Sequence, residues 1–499
     1  MSTVHTRSLQ RPSRAARLGR RGVLALAGAL LSLAALVVAA PVASASSQTT
    51  FTISGHGWGH GIGMSQWGAY GYARHGWTYR AILRHYYTGV AFGTASGSPV
   101  RVRLRSGLTS VRLTCNQPYT ASGSGTPLKI PAGVPATTTF VDGKYRVVAG
   151  DVQRDFTAAV LFTPKTGALQ LLTATDLGDK GAYRGSIRVL NSGGSLMMIN
   201  KLPLESYLRG VVPREVSPAW PVEALKAQAC AARAYLERSR DPDKAWDVYC
   251  DVRDQTYLGA DIEDSRTNAA VRDTAGIVPT YGGQVISAFY FSSSGGRTEN
   301  IEYGWPGSSP LGYLKGVADP YDTYATRHDW GPLYRTAGQV STQLGSAVSG
   351  FLRAVYTVQR GTSPRIVKAA IIGSSGVRFM DGNMLRMKLN LNSTWASLRS
   401  MSISPAARDG ASLTAGESIA LTGRIYPALP AGTSVRLNLY RNGVWYSRQV
   451  ATVRASRDLG SGYTAKYSTY TVTVSPKATT QYHFTIGKAK SPTTTVTVI

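Results

Sequence analysis

Residues 205–238 read ESYLRGVVPREVSPAWPVEALKAQACAARAYLER, and no other stretch constrains the fold as tightly. Pro213, Pro218 and Pro221 rule out one continuous helix, because proline inside a helix removes a hydrogen bond and clashes with the preceding turn. Val211 and Val212 read as a short strand-like run that enters a proline-studded turn. Pro221 suits a first helical position, where its missing amide would be unpaired anyway, and Glu223 then sits near the positive end of the helix dipole. Val222, Leu225, Ala229, Ala232 and Leu236 recur at helical spacing, an apolar stripe whose alanines would let the helix lie close against a sheet. Glu215 is left in the turn, flanked by Val212, Pro213, Val216 and Trp220. A carboxyl partly withdrawn from water keeps its proton to higher pH and suits donation near neutrality. The alternative is a surface acid paired with Arg209 or Arg214.

A chain of 499 residues has room for about three domains. Lys and Arg number 55 against 27 Asp and Glu, a formal charge of +28, so polyanions are its natural partners. The N-terminus selects among them. Arg11, Arg14, Arg17, Arg20 and Arg21 precede an uncharged run over residues 22–40, and Ala43, Ser44 and Ala45 fit a small-residue cleavage site. Residues 1–45 therefore read as a cleaved signal peptide of a secreted, cell-wall protein, with an uncleaved membrane anchor as the alternative, since the run is long. An exported basic chain with no recognised nucleic-acid module meets anionic wall polymers, not nucleic acid. Of the three cysteines, Cys230 and Cys250 flank the same helix and its exit loop and form the disulfide candidate, leaving Cys115 over.

Residues 51–90 begin FTISGHGWGHGIGMSQWGAYGYAR. Alternating glycines around His56, Trp58 and His60 let the backbone turn tightly or approach a ligand closely, and indole and imidazole rings on such a scaffold suit sugar rings. Ser65 opens a helix through Ala73, and residues 79–86 read as another. Two histidines in a loop without a neighbouring carboxylate or thiolate are a weak metal signal, and no metal or other cofactor is expected. Residues 100–191 alternate in β fashion. Asp247, Asp251 and Asp254 lack the glycine and glutamate of a calcium loop and read as structural acids. A short helix starts near Asp264. A hairpin turning at Gly282-Gly283 leads through residues 285–291 into Ser292, Ser293, Ser294, Gly295, Gly296, Arg297 and Thr298, a polar lip of hydroxyls and amides. From residue 401 Thr/Ser/Val/Tyr strands recur, with Asn442-Gly443 a hairpin turn, which reads as an immunoglobulin-like sandwich over residues 401–499.

Three stretches, YLRGVVPREVSPAWPVEALKAQACAARAY, FYFSSSGGRTEN and GHGWGHGIGMSQWGA, together with MLRMKLNLNSTW at residues 384–395, resemble the SpoIID/LytB domain (stage II sporulation protein D / amidase enhancer) family. The resemblance covers about residues 51–398 and implies an α+β fold: a mixed SpoIID-like catalytic domain over residues 46–400 with a β-rich insertion at 100–191, its central helix and groove at 192–400, and the all-β sandwich after it. It also implies action on peptidoglycan glycan strands as a lytic transglycosylase, with Glu215 as acid and base, or else a non-catalytic glycan-binding role that stimulates a cell-wall amidase. On this resemblance the substrate contacts are His56, Trp58, His60, Met64, Ser65 and Gln66 from the glycine motif. Arg233 and Tyr235 from the helix join them, as do Ser292, Ser293, Gly295, Gly296 and Thr298 from the lip. The glycine motif precedes the glutamate here, whereas in the sporulation protein it follows the Leu-Arg element, so residues 51–90 are expected to pack back beside residues 384–395. Some members place a metal just after the central helix; here that loop has Cys250 and Asp254 but no histidine, and no zinc is expected.

Overall fold

A computed structural model describes residues 49–405, 412–458 and 466–499; the expected signal peptide lies outside them. Six helices carry the argument: α1 (Gln66–Arg74), α2 (Tyr79–Tyr86), α3 (Leu204–Arg209), α4 (Val212–Glu215), α5 (Val222–Ser239) and α6 (Ser265–Asp273). The fold is mixed α+β and rich in strands, which form several sheets.

Helix α5 is buried on two faces. Leu225, Ala229, Ala232 and Leu236 enter a core built with the strands Val100–Leu108, Ser186–Ser192 and Ser195–Leu202. Ala227, Cys230, Ala231 and Ala234 enter a second core with Ala69, Ile82, Leu83 and Tyr86 of α1 and α2. The apolar stripe thus describes half of the helix surface. Alanines on the other half admit α1 and α2 at short range, and a helix apolar all round is a buried one. Val222 leaves the stripe, 45% exposed at the helix start.

The extended run expected at Val211 and Val212 is helical instead. Glu215 N–H donates to the Val211 carbonyl and Val216 N–H to that of Val212, because Pro213 at the start of α4 has no amide to leave unpaired. The Gly282-Gly283 turn forms as expected, with φ of +56° and +78°, joining Ile277–Tyr281 to Gln284–Val285. The second strand ends there, however. Tyr290–Phe291 pairs in parallel with Met64–Ser65, so the lip is hung on the glycine motif and not on the hairpin.

No Cys230–Cys250 bridge forms: all three thiols are free and buried. Cys230 belongs to the core under α2, whereas Cys250 lies in the other core and donates its S–H to the Leu104 carbonyl. The intervening loop carries the acids as structural groups: Asp247 pairs with Arg101 at 2.6 Å, Asp251 with Arg253, and Asp254 accepts from the Tyr235 hydroxyl and the Tyr249 amide.

One sheet organises the rest of the chain. Its strands run in the order Asp329–Thr336, Thr49–His56, Ala396–Ser402, Ile419–Tyr426, Lys466–Val474 and Arg454–Asp458. The strand before the glycine motif pairs antiparallel with residues 396–402, which brings residues 51–90 beside residues 384–395 as expected. Ser400 pairs with Tyr426 and Met401 with Ile425, so this sheet continues across residue 400. A second sheet, with Ser434–Arg441, Val444–Thr452 and Thr480–Ile486 among its strands, faces it: Leu421, Ile425 and Tyr470 share a core with Leu437, Phe484 and Val496.

Candidate functional site

Glu215 ends α4 in a half-buried position. Gln66, the first residue of α1, donates its side-chain amide to Glu215 Oε2 at 3.3 Å. Ser65 holds that end of α1 in place by accepting the Gly68 amide as the helix cap. Next to Gln66 in the chain, Trp67 belongs to a ring cluster with Tyr70 and Trp220, the centroids 4.9 Å apart for Trp67 and Trp220 and 5.2 Å for Tyr70 and Trp220. Tyr324, 43% exposed, continues this aromatic wall to the surface. Beneath lie hydroxyls: Tyr207 donates to Gln255, whose amide donates to Tyr290.

Burial is the largest influence on Glu215 and raises its pKa above the ordinary 4.5. The Gln66 bond, a backbone bond from Thr256 and the Arg214 charge pull the other way with less effect. The surface-pair alternative is not what forms, since neither Arg209 nor Arg214 makes an ion pair with Glu215. The result is a half-buried carboxyl with few donors that keeps its proton to higher pH than an ordinary glutamate does.

The glycine motif has a different chemistry. Gly57, Gly59, Gly61 and Gly63 all have positive φ, and a Cβ at Gly57 would fall 2.6 Å from the Ser293 carbonyl oxygen. This closeness lets Trp58 and Ser293 exchange backbone bonds of 2.8 and 3.0 Å. His56 N–H donates to Trp395 O, and Gly59 N–H to Asn392 O. His60 Nδ1 accepts the Ile62 amide, so Nε2 carries the hydrogen and donates to the Tyr290 carbonyl at 3.1 Å. Burial lowers the His60 pKa to about 4, which keeps the ring neutral. Both ring nitrogens are committed to backbone groups, so His60 is a strut and not a sugar contact.

Behind the motif lies a knot of polar groups centred on Asp322. Its carboxylate accepts from Ser65 Oγ (2.7 Å), Ser293 Oγ (2.7 Å) and the amides of Ser294 (2.9 Å) and Gly295 (2.8 Å), and it pairs with His328 Nδ1 at 3.1 Å. Tyr86 donates to the adjacent Asp319, whose Oδ2 is sealed without a partner; burial first and the Asp322 charge second raise Asp319 to about 7. Glu299 accepts from Ser363 Oγ and the Thr362 amide, and the buried Arg365 donates to the carbonyls of Ser294 and Arg297.

The expected contacts therefore divide. Gln66 meets Glu215, Trp58 is 47% exposed with the Arg327 guanidinium 5.3 Å from its ring centre, and His56 pairs with Asp329 at the surface. Ser292 and Gly296 remain partly open. Met64, Ser65, Ser293, Gly295 and Thr298 are buried and serve the scaffold. Arg233 is wholly buried, bound to Glu205 at 2.7 Å and to the Ile277 carbonyl at 2.9 Å, which removes it from any substrate. Tyr235 is tied to Asp254. Sequence reasoning did not find Asp319, Asp322, His328, Glu299 or Arg365. One signal was available: a Ser/Gly run rich in donors, once buried, requires an acceptor.

The model of the SpoIID family, described as stage II sporulation protein, matches residues 192–281. Stage II sporulation protein D of Bacillus subtilis (strain 168) is 31% identical over 212 residues, 39% of this chain and 60% of that protein. Its counterpart from Bacillus amyloliquefaciens is 30% identical over 215 residues, with the same coverage. The amidase enhancer of Bacillus subtilis (strain 168) is 40% identical over 115 residues, 23% of this chain and 15% of that protein. The chain thus spans about 60% of the length of the sporulation proteins it matches. No solved structure matches. The matched residues run from the strand before α3 through α6 and include Glu215, and on this ground the chain carries a domain of the SpoIID family.

Proposed function

We propose that this protein is an exported cell-wall protein that cuts the glycan strands of peptidoglycan as a lytic transglycosylase, with Glu215 as both acid and base. The observation that carries this reading is the state of Glu215: half-buried, raised in pKa and bound by one side-chain donor, Gln66, whose chain neighbour Trp67 belongs to an aromatic cluster. The acids on neighbouring elements are committed elsewhere, Glu205 to Arg233 and Asp254 to Tyr235. A single carboxyl suffices when the substrate supplies the nucleophile, unlike the paired carboxyls of ordinary glycosidases.

In the first step Glu215 gives its proton to the bridging oxygen as the bond from C1 of the muramic acid residue to that oxygen breaks. In the second, the 6-hydroxyl of the same residue closes on C1 and its proton passes to the Glu215 carboxylate. The products are a 1,6-anhydro end and a free hydroxyl, no water is consumed, and Glu215 returns to its starting state. Gln66 positions the carboxyl, while Trp67, Tyr70 and Tyr324, backed by the buried Trp220, offer faces for sugar rings. Trp58, His56, Ser292 and Gly296 extend the contact surface.

A second reading, a non-catalytic glycan binder that stimulates a cell-wall amidase, is favoured by the 40% identity to the amidase enhancer. Mass spectrometry of amidase-treated glycan strands, incubated with wild type and with Glu215→Gln, separates the two. Anhydro-muramyl ends from the wild type alone are expected. Binding by both proteins with new ends from neither would replace the enzyme by the enhancer.

A further inference from the structure

Far along the chain from Glu215, a pocket of about 430 Å³ opens where the strand Asp329–Thr336 meets the C-terminal strands. Its walls include Tyr334, Arg335 and Gln339 on one side and Trp445, His483 and Lys490 on the other. None of its lining residues is acidic. That volume is in the range of small-molecule sites, and pockets of this kind hold a ligand by apolar faces together with a few placed polar groups.

The faces are aromatic. Trp445 is 44% and Tyr334 is 43% exposed, a large outlay of apolar surface at one place. Trp445 is fixed from behind, its ring centroid 4.4 Å from that of His483 and 5.1 Å from that of Tyr440, its cross-strand partner. Tyr334 is fixed by donating its hydroxyl to the Lys488 carbonyl at 2.8 Å. Both rings are therefore held in place before any ligand arrives, which lowers the entropic cost of binding.

The placed polar groups are cationic. Arg335 donates one guanidinium nitrogen to Gln343 and to the Leu389 carbonyl, which orients it without neutralising it. Lys490 lies with its ammonium 4.3 Å from the Tyr334 ring centre. Neither forms an ion pair among the described residues. His483 serves the pocket through its ring, which backs Trp445, since its Nδ1 is sealed from solvent. Oriented guanidinium and ammonium groups without carboxylate partners suit a phosphate or carboxylate.

We propose that this pocket binds a pyranose unit carrying an anionic substituent, the ring lying on Trp445 and the anion meeting Arg335 and Lys490. It would be a second glycan site, independent of the chemistry assigned to Glu215, through which the C-terminal β region holds the protein on an anionic polysaccharide. Phosphate and carboxylate share this recognition chemistry, and the test separates them.

Isothermal titration of the full mature chain with phosphomannan, polygalacturonate and neutral mannan is the experiment. Wild type should bind at least one of the two anionic polymers, and whichever binds tighter names the substituent. Trp445→Ala and the pair Arg335→Gln/Lys490→Gln should each weaken that binding at least tenfold with Tm unchanged. The exposed pair Lys129→Gln/Lys144→Gln, which removes the same charge from the β-rich section, should leave it within twofold. Absence of binding to both anionic polymers overturns the proposal. So does binding that survives Trp445→Ala, or that weakens equally with the two charge pairs, since either result reduces the interaction to the overall charge of the chain.

Discussion

Ser65 and Gln66 are neighbours in the chain, yet each serves a different carboxyl. Ser65 turns inward to Asp322, where two hydroxyls, two backbone amides and a histidine converge on one carboxylate. Gln66 turns to Glu215, to which it is the one side-chain donor shown, at a long 3.3 Å. The first acid is saturated and has no capacity left for a substrate. The second has few donors and is largely withdrawn from water. The N-terminus of α1 joins the two, so the rigidity of the Asp322 knot is passed to the group that orients Glu215. Saturation makes an acid structural, and its lack leaves an acid reactive.

The largest effect expected from this contrast is on stability. Asp322→Ala leaves five donors without their acceptor and should lower the unfolding free energy by about 3–5 kcal/mol, as for other broken buried charge networks. Urea denaturation measures it, and a loss under about 1 kcal/mol would show that the knot is not structural. Arg233→Met should cost about 2–3 kcal/mol by unpairing Glu205 and the Ile277 carbonyl, while glycan affinity stays unchanged. Weaker glycan binding at an unchanged Tm would return Arg233 to the substrate.

Smaller effects sharpen the Glu215 side. Gln66→Ala should slow strand cleavage about tenfold, the worth of one hydrogen bond to a charged group. Because that bond lowers the Glu215 pKa, losing it should move the alkaline limb of the pH profile to higher pH; a move to lower pH would contradict the assignment. The smallest effect is on the stability of Glu215→Gln. An acid whose folded pKa is raised holds its proton more tightly folded than unfolded. Its contribution to stability is greatest at low pH and is lost as pH rises from the unfolded value through the folded one. The variant escapes that loss, so thermal melts should find it more stable than wild type at pH 8 but not at pH 4.

Much of this was legible in the sequence. The α5 stripe, the Ser65 cap, the glycine motif and the Gly282-Gly283 and Asn442-Gly443 turns each rest on local chemistry, and each formed. Glu215 stood out as a candidate by its apolar neighbours and flanking prolines, but those left a surface acid equally open, and its proposed role comes from the resemblance to the SpoIID/LytB family. Tertiary partners were not legible. Arg233 lies on the central helix like any candidate ligand, and only its pairing with Glu205, 28 positions earlier, reveals it as a strut. His60 looks available until the Ile62 amide and Tyr290 carbonyl are seen on its two nitrogens. Asp322 belongs to no motif, because all its donors but His328 come from segments 27 to 257 residues distant. The sheet that crosses residue 400 was hidden for the same reason: a change in composition marks where strands become frequent, not which strands they pair with.

The role proposed for Glu215 depends most directly on its protonation. A carbon-13 titration of its side-chain carboxyl, assigned by comparison with Glu215→Gln, reads this without any substrate. The midpoint should lie above the ordinary 4.5 and rise further in Gln66→Ala. A midpoint at or below 4.5 would make Glu215 an ordinary surface carboxylate and remove the basis for its role as an acid.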